Sequence, residues 1–103
     1  MTTYLNIITL AGVVNSLKTT ELANNVFAYR FVITVAEVYK SKDGTTMTNV
    51  DYFPVSYFSS TPGEFKEGDN IKVEGRLKCE KFVSDTSDSR CYYQVTAHKI
   101  TVL

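Results

Sequence analysis

The sequence predicts an all-β fold, a five-stranded Greek-key barrel formed by a single domain spanning residues 1–103. Three observations predict it. Apolar residues recur at every second position in five separate runs, which is typical of strands with one buried face. Turn-forming pairs such as Asp43-Gly44 and Pro62-Gly63 separate these runs. The chain has 103 residues, of which 44% are hydrophobic, so it can bury one core.

The first two runs define the beginning of the barrel. The first run contains the apolar positions 8–14, and the second extends from Phe27 to Tyr39. Their inward positions are Ile8, Leu10, Gly12 and Val14, and then Phe31, Ile33 and Val35. A glycine inside a strand indicates a bulge or a close backbone approach, so we expect the first strand to bend at Gly12. The polar stretch 41–49 predicts that the second and third runs form a long hairpin.

The remaining three runs follow the same alternation. The third, 50–58, carries Pro54, which has no N–H to donate and is therefore expected at an edge or a bulge. The fourth and fifth runs, 71–83 and 90–103, form a second long hairpin centred on Asp85. This centre pairs residues whose numbers sum to 170, including Leu77 with Tyr93. The expected inward residues of these three runs are Phe53, Val55, Tyr57, Ile71, Val73, Gly75, Leu77, Tyr93, Val95 and Ala97.

The connector between the third and fourth runs, 59–69, contains Pro62-Gly63 and Gly68-Asp69 and leaves room for a short helix or none. Two long hairpins joined in this way fit a barrel of the oligonucleotide-binding kind. A five-stranded sandwich is the competing fold.

Composition excludes several classes of function. Eleven basic residues balance eleven acidic ones, so bulk positive charge cannot provide affinity for nucleic acid. The longest apolar stretch, 5–14, is too short to span a bilayer, and we expect a soluble, unexported protein. Cys79 and Cys91 suit free thiols in a reducing cytosol. The single histidine, His98, and the absence of nucleophile and phosphate-loop motifs predict no enzyme, no metal and no cofactor.

Aromatic residues at positions outside the inward pattern are the candidate binding groups. Single-stranded nucleic acid offers exposed rings a partner, because stacking contributes about 1–3 kcal/mol per base and tolerates any sequence. The candidate rings are Tyr39, Tyr52, Phe58 and Phe82, and the candidate phosphate contacts are Lys40, Lys42, Lys72, Arg76, Lys78 and Lys81. The alternative is an ordinary solvated surface with half-buried strand aromatics, and Glu74 and Glu80 on the same outer face weaken the charge argument.

Four segments in register resemble the bacterial and phage single-stranded-DNA-binding proteins. They are Asn6-Ile7-Ile8-Thr9-Leu10-Ala11-Gly12, Phe31-Val32-Ile33-Thr34-Val35-Ala36, Asp51-Tyr52-Phe53-Pro54-Val55-Ser56-Tyr57-Phe58 and Phe65-Lys66-Glu67-Gly68-Asp69-Asn70-Ile71-Lys72-Val73-Glu74-Gly75-Arg76-Leu77. The likeness spans nearly the whole chain, and its last segment is the strongest match.

This resemblance implies an oligonucleotide-binding fold and sequence-tolerant binding of single-stranded DNA in replication, recombination and repair. It also implies a homo-oligomer, usually a tetramer with a dimer as the alternative, in the cytoplasm of a bacterial cell or phage-infected host. Carried over by position, Tyr52 and Phe82 stand where the family has stacking tryptophans, Phe58 where it has a stacking phenylalanine, and Tyr39 near another tryptophan position. The sequence ends at Leu103, so recruitment of partner enzymes through the family's acidic tail is not supported.

The leading hypothesis is a non-enzymatic protein that coats and protects single-stranded DNA. Two alternatives stay open, a replisome or primosome adaptor with the same fold and an RNA-binding barrel. For assembly, we expect the free edge of the first strand and the apolar segment 1–8 to pair between subunits, which would cover that edge.

Overall fold

The protein forms one closed barrel of five strands. A computed structural model describes residues 3–83 and 89–103, and the side chains of residues 81–91 lie outside the described part. The strands are β1 (Ile8–Leu22), β2 (Val26–Lys40), β3 (Thr46–Ser59), β4 (Asn70–Val83) and β5 (Ser89–Val102). They close in the order β1-β2-β3-β5-β4. The predicted five-stranded barrel is therefore confirmed, the sandwich is excluded, and the connector 60–69 contains no helix.

β1 is longer than predicted because it continues through a bulge. Its first half, Ile8–Val13, pairs antiparallel with β4, and its second half, Val13–Leu22, pairs antiparallel with β2. The register on β2 shifts between Asn15 and Lys18. Polar residues after Val14 hide this continuation from an alternation pattern, so the predicted inward positions 8–14 cover only the first part of the strand.

Gly12 and Gly75 are places where two strands approach too closely for a side chain. A Cβ on Gly12 would overlap the carbonyl oxygen of Thr34, and one on Gly75 would overlap that of Thr96. The predicted close approach at Gly12 is thus confirmed, whereas the bulge lies four residues later, at Ser16, whose φ is 56°.

The core consists mostly of inward residues that the alternation predicted, together with Tyr29 of β2 and Phe65 of the connector. Side chains that are essentially inaccessible include those of Val14, Tyr29, Ile33, Ile71, Val73 and Val95. Two predicted core residues are not buried, since Leu77 is 41% exposed and Tyr93 is 58% exposed. Tyr93 lies where the β4–β5 hairpin extends past the β3–β5 pairing, and Leu77 lies opposite Val95, at the last position of that pairing.

The register of the β4–β5 hairpin differs from the prediction by two residues. Leu77 pairs with Val95, and Cys79 pairs with Tyr93 rather than with Cys91. A shift of two keeps every side chain on its predicted face, which is why the alternation could not detect it. A second irregularity at His98 lets Glu74 pair with Lys99 directly after Gly75 pairs with Ala97.

The barrel is closed by a short parallel contact. β3 and β5 pair over 55–57 and 95–97, and Pro54 lies one residue before this contact, where β3 pairs with β2 alone. The predicted edge position of Pro54 is confirmed. The β2–β3 and β4–β5 hairpins extend beyond this contact.

Candidate nucleic-acid interface

Two aromatic rings lie open on the outer face of β3. Tyr52 is 68% exposed and Phe58 is 50% exposed. Their cross-strand partners on β2 are Thr34 and Ala28, so the residue directly opposite each ring is small. Six residues of strand separate them, which is about 20 Å at the usual rise. Each ring can therefore stack on a different base of one strand.

An aromatic cluster inside the barrel fixes this orientation. Tyr57, next to Phe58 in the chain, points inward and lies 5.8 Å from Tyr29 and 6.4 Å from Phe65, measured between ring centroids. Burial raises the pKa of Tyr57, and the nearby Glu64 carboxylate raises it further. Since neighbouring side chains in a strand point to opposite faces, packing Tyr57 inside keeps Phe58 outside.

Tyr39 does not share a face with the other two rings. It pairs with Met47, and Tyr52 pairs with Thr34. Along the β2–β3 ribbon, Tyr39 and Met47 point to one face, while Tyr52 points to the other together with Lys40 and Val50. Tyr39 is 42% exposed, so its ring is accessible at the opposite face of the hairpin.

The positive charges nearest to the two rings are ones that the sequence analysis missed. Arg30 on β2 lies directly opposite Ser56, which stands between Tyr52 and Phe58 on β3. Lys18 on β1 lies directly opposite Arg30. Within the part of the chain that the structure describes, neither cation has an ion-pair partner. Both are exposed and available for phosphate.

The predicted cations of β4 lie farther from the rings. β5 separates β4 from β3, so the outward side chains of β4 are two strands, about 10 Å, from those of β3. Lys72 Nζ lies 3.6 Å from Glu74, and Lys78 Nζ lies 4.0 Å from Glu80. Arg76 lies level with Ser56, through Thr96 of β5.

Lys40 and Lys42 lie at the end of the β2–β3 hairpin. Ser41 N–H donates to Thr45 O at 2.9 Å, and Gly44 N–H donates to Ser41 O at 3.0 Å, which closes the predicted Asp43-Gly44 turn. The hydroxyl of Ser41 donates to the Asp43 carboxylate, and so does the backbone N–H of Thr45. These bonds lower the pKa of Asp43 from 3.8 to about 2.

Two of the predicted site residues, Lys81 and Phe82, have side chains outside the described part. Their main chain belongs to β4, with Phe82 opposite Arg90.

A groove lies between Pro54 of β3 and the β4–β5 hairpin. It is about 240 Å³ and is lined by Pro54, Glu80, Tyr92, Tyr93 and Gln94. Gln94 Nε2 donates to Glu80 Oε1 at 2.8 Å, and its Oε1 accepts from the Ser56 hydroxyl at 3.1 Å. Tyr92 is 57% exposed at this groove. Sequence analysis assigned it no role because its neighbours depend on the β3–β5 contact.

The pattern of the Single-strand binding protein family matches residues 5–103. The chain belongs to this family. Its members are non-enzymatic proteins that bind single-stranded DNA, and this is the function of the chain. No curated protein matches the sequence.

Three solved structures show the same fold. Plasmodium falciparum SSB in complex with ssDNA has a TM-score of 0.80 at 15% identity, covering 100% of this chain and 98% of that chain. The small single-stranded DNA-binding protein from Streptomyces coelicolor has a TM-score of 0.70 at 24% identity, covering 93% and 92%. A deletion mutant of the single-stranded DNA binding protein from Thermus aquaticus has a TM-score of 0.75 at 19% identity, covering 96% of this chain and 50% of that one. The fold is thus the oligonucleotide-binding barrel of the single-strand binding proteins.

Residues 3–83 and 89–103 contain no group of three or more histidine, cysteine or acidic side chains that could hold a metal ion. His98 is exposed at the β4–β5 irregularity, and Cys79 is a free, exposed thiol. Within the same ranges, no helix is long and apolar enough to cross a membrane.

Proposed function

We propose that single-stranded DNA lies across the outer surface of β2 and β3, with one base stacked on Tyr52 and another on Phe58. The observation that supports this most is the 68% exposure of Tyr52 on a face where Arg30 stands between the two rings. Arg30 and Lys40 would contact phosphates along the same face. Phe82, Lys42 and Lys81 extend the path over the hairpins, and Tyr39 offers a further ring on the opposite face of the β2–β3 hairpin. Lys72, Arg76 and Lys78 provide a second, weaker row on β4.

Titration of Tyr52→Ala and Phe58→Ala with fluorescent oligo-dT tests this proposal. Each variant should lose about 1–3 kcal/mol of binding free energy, because one base loses its stacking partner. Val102→Ala, an exposed apolar residue at the end of β5, is the control and should bind like the wild type. Wild-type affinity should fall as salt rises, because counterions are released from the DNA.

Three outcomes would contradict the proposed interface. Unchanged affinity of both ring variants would exclude these rings. A strong preference for RNA of the same sequence would indicate a ribonucleic acid partner that is recognised through the 2′-hydroxyl. Loss of a protein partner in Tyr52→Ala with intact DNA affinity would indicate an adaptor.

We further propose a homo-oligomer, most simply a tetramer, in the cytoplasm of a bacterial cell or phage-infected host. The support lies at the start of the chain, where Tyr4, Leu5 and Ile7 are 87%, 83% and 78% exposed. Residues 8–12 of β1 pair with β4 on one side, and no described strand pairs with their other side. An open edge next to exposed apolar side chains favours pairing with a second copy. Light scattering should give four times the 11.6 kDa chain mass, and a monomer mass would overturn the oligomer.

A further inference from the structure

The carboxylate of Glu67 connects the connector 60–69 to the bulge of β1 by hydrogen bonds. Glu67 Oε2 accepts a hydrogen bond from Ser16 N–H at 2.9 Å, and Glu67 Oε1 accepts one from Leu17 N–H at 2.8 Å. Two main-chain bonds flank this contact, from Gly68 N–H to Val14 O and from Val14 N–H to Asp69 O, both at 2.9 Å. The positive φ of Ser16 belongs to the bulge whose two amides the carboxylate holds.

The bulge decides which side chains of β1 face outward. Before it, Asn15 pairs with Val32, and after it Lys18 pairs with Arg30. If the strand continued without the extra residue, Leu17 would stand opposite Arg30, and Lys18 would stand opposite Tyr29. Tyr29 is 1% exposed in the core, and a lysine on that face would enter the barrel. The bulge thus turns Leu17 towards the core and Lys18 outward.

We propose that Glu67 is a positioning residue for DNA binding, because it holds the bulge that keeps Lys18 beside Arg30 on the outer surface. This inference rests on the proposed interface and adds a residue that does not itself touch DNA. A carboxylate suits the task, since its two oxygens accept both adjacent N–H groups, with bonds strengthened by its charge. Glutamine keeps one acceptor oxygen and should hold the bulge less firmly.

The test compares Glu67→Ala, Lys18→Ala and the double variant by oligo-dT titration over a series of salt concentrations. The slope of log K against log salt is negative, and loss of one phosphate contact to a single strand reduces its magnitude by about 0.7. Lys18→Ala should show this decrease, and Glu67→Ala should show most of it. The double variant should match Lys18→Ala, because both changes remove the same contact. Glu67→Gln should give an intermediate slope and serves if Glu67→Ala does not fold.

The direction of the change in affinity distinguishes a positioning role of Glu67 from a direct electrostatic effect of its charge. Removing a carboxylate near bound DNA, by itself, strengthens binding because repulsion is lost. Glu21→Ala is the matched control, since it removes the same charge from β1 and Glu21 makes no hydrogen bond to the bulge; its affinity should be unchanged or slightly higher. A severalfold loss of affinity in Glu67→Ala therefore supports positioning.

Two results would overturn the inference and leave the proposed interface standing. One is a salt dependence as steep as that of the wild type in both Glu67 variants, while that of Lys18→Ala is less steep. The other is an unchanged slope in Lys18→Ala while Tyr52→Ala still weakens binding. If the wild type itself does not bind oligo-dT at low salt, the proposed function fails as well.

Discussion

The side chain of Asn6 makes two hydrogen bonds to the main chain of Leu77. Asn6 Nδ2 donates to Leu77 O at 2.7 Å, and Leu77 N–H donates to Asn6 Oδ1 at 2.9 Å. Ile8 pairs with Gly75, so the next position of the β1–β4 ladder brings Asn6 opposite Leu77. There the side-chain amide of Asn6 makes the hydrogen bonds that main-chain groups make elsewhere in the ladder. This contact extends the pairing beyond the end of β1.

Asn6→Ala should lower the free energy of unfolding by about 1–2 kcal/mol, because two hydrogen bonds are lost at a net value of about 0.5–1.5 kcal/mol each. Thermal or urea unfolding at one fixed protein concentration measures this, since oligomerisation makes stability depend on concentration. Asn49→Ala, an exposed asparagine in β3, is the control. If Asn6→Ala and Asn49→Ala had the same free energy of unfolding, the stabilising role of the Asn6 amide would be refuted.

Arg30→Ala should reduce the salt dependence of DNA binding more than Lys72→Ala does. Arg30 lies one strand from the line between Tyr52 and Phe58, whereas Lys72 lies on β4 beside Glu74. We expect the magnitude of the slope of log K against log salt to decrease by about 0.7 for Arg30→Ala. Lys99→Ala, whose cation lies 3.9 Å from Glu74, is the control. A larger effect at Lys72 than at Arg30 would place the DNA on β4 instead.

Gly75→Ala should destabilise the barrel by about 2–3 kcal/mol, because the new methyl group would overlap the Thr96 carbonyl and force β4 and β5 apart. Gly63→Ala is the comparison, since its φ is 68° but open space surrounds it. Its cost should be limited to left-handed backbone strain of about 1–2 kcal/mol. Denaturant unfolding measures both, and a smaller effect at Gly75 than at Gly63 would contradict the close approach.

The carboxyl group of Asp43 should titrate near pH 2 in the folded protein. Its folded pKa is depressed from 3.8 to about 2, so its contribution to the turn is complete above pH 3.8 and is lost as the pH falls through 2. Carbon NMR of the Asp43 carboxyl measures this pKa directly. In Ser41→Ala the pKa should move back towards 3.8, since the Ser41 hydroxyl bond is the largest cause of the shift. A wild-type midpoint at 3.8 would show that the turn does not hold the carboxylate.

The alternation of apolar residues predicted the barrel and its inner face, because burial of one face imposes a period of two on every strand. It placed Tyr52 and Phe58 outside for the same reason. The same alternation also places Arg30 on the outer face of β2, since Arg30 is two residues from Val32 and four from Thr34.

Lys18 could not be assigned from the pattern alone. Its outward position depends on an extra residue at Ser16, and serine is not a residue type that signals a left-handed backbone. The β4–β5 register was equally hidden, because a shift of two residues preserves every face. Neighbours such as Pro54 and Tyr92 follow from the order of strands around the barrel, which no local pattern contains.

β1 contacts both hairpins, and Val13 pairs with Asn70 on one side and with Thr34 on the other. The hairpins can form from residues close in sequence, whereas the β1–β4 ladder joins positions some sixty residues apart. Loops of that length close at an entropic cost before their contacts are gained. In a chain emerging from the ribosome, residues 8–12 of β1 stay without their β4 partner until β4 has been synthesised, whereas Val13–Leu22 can already pair with β2.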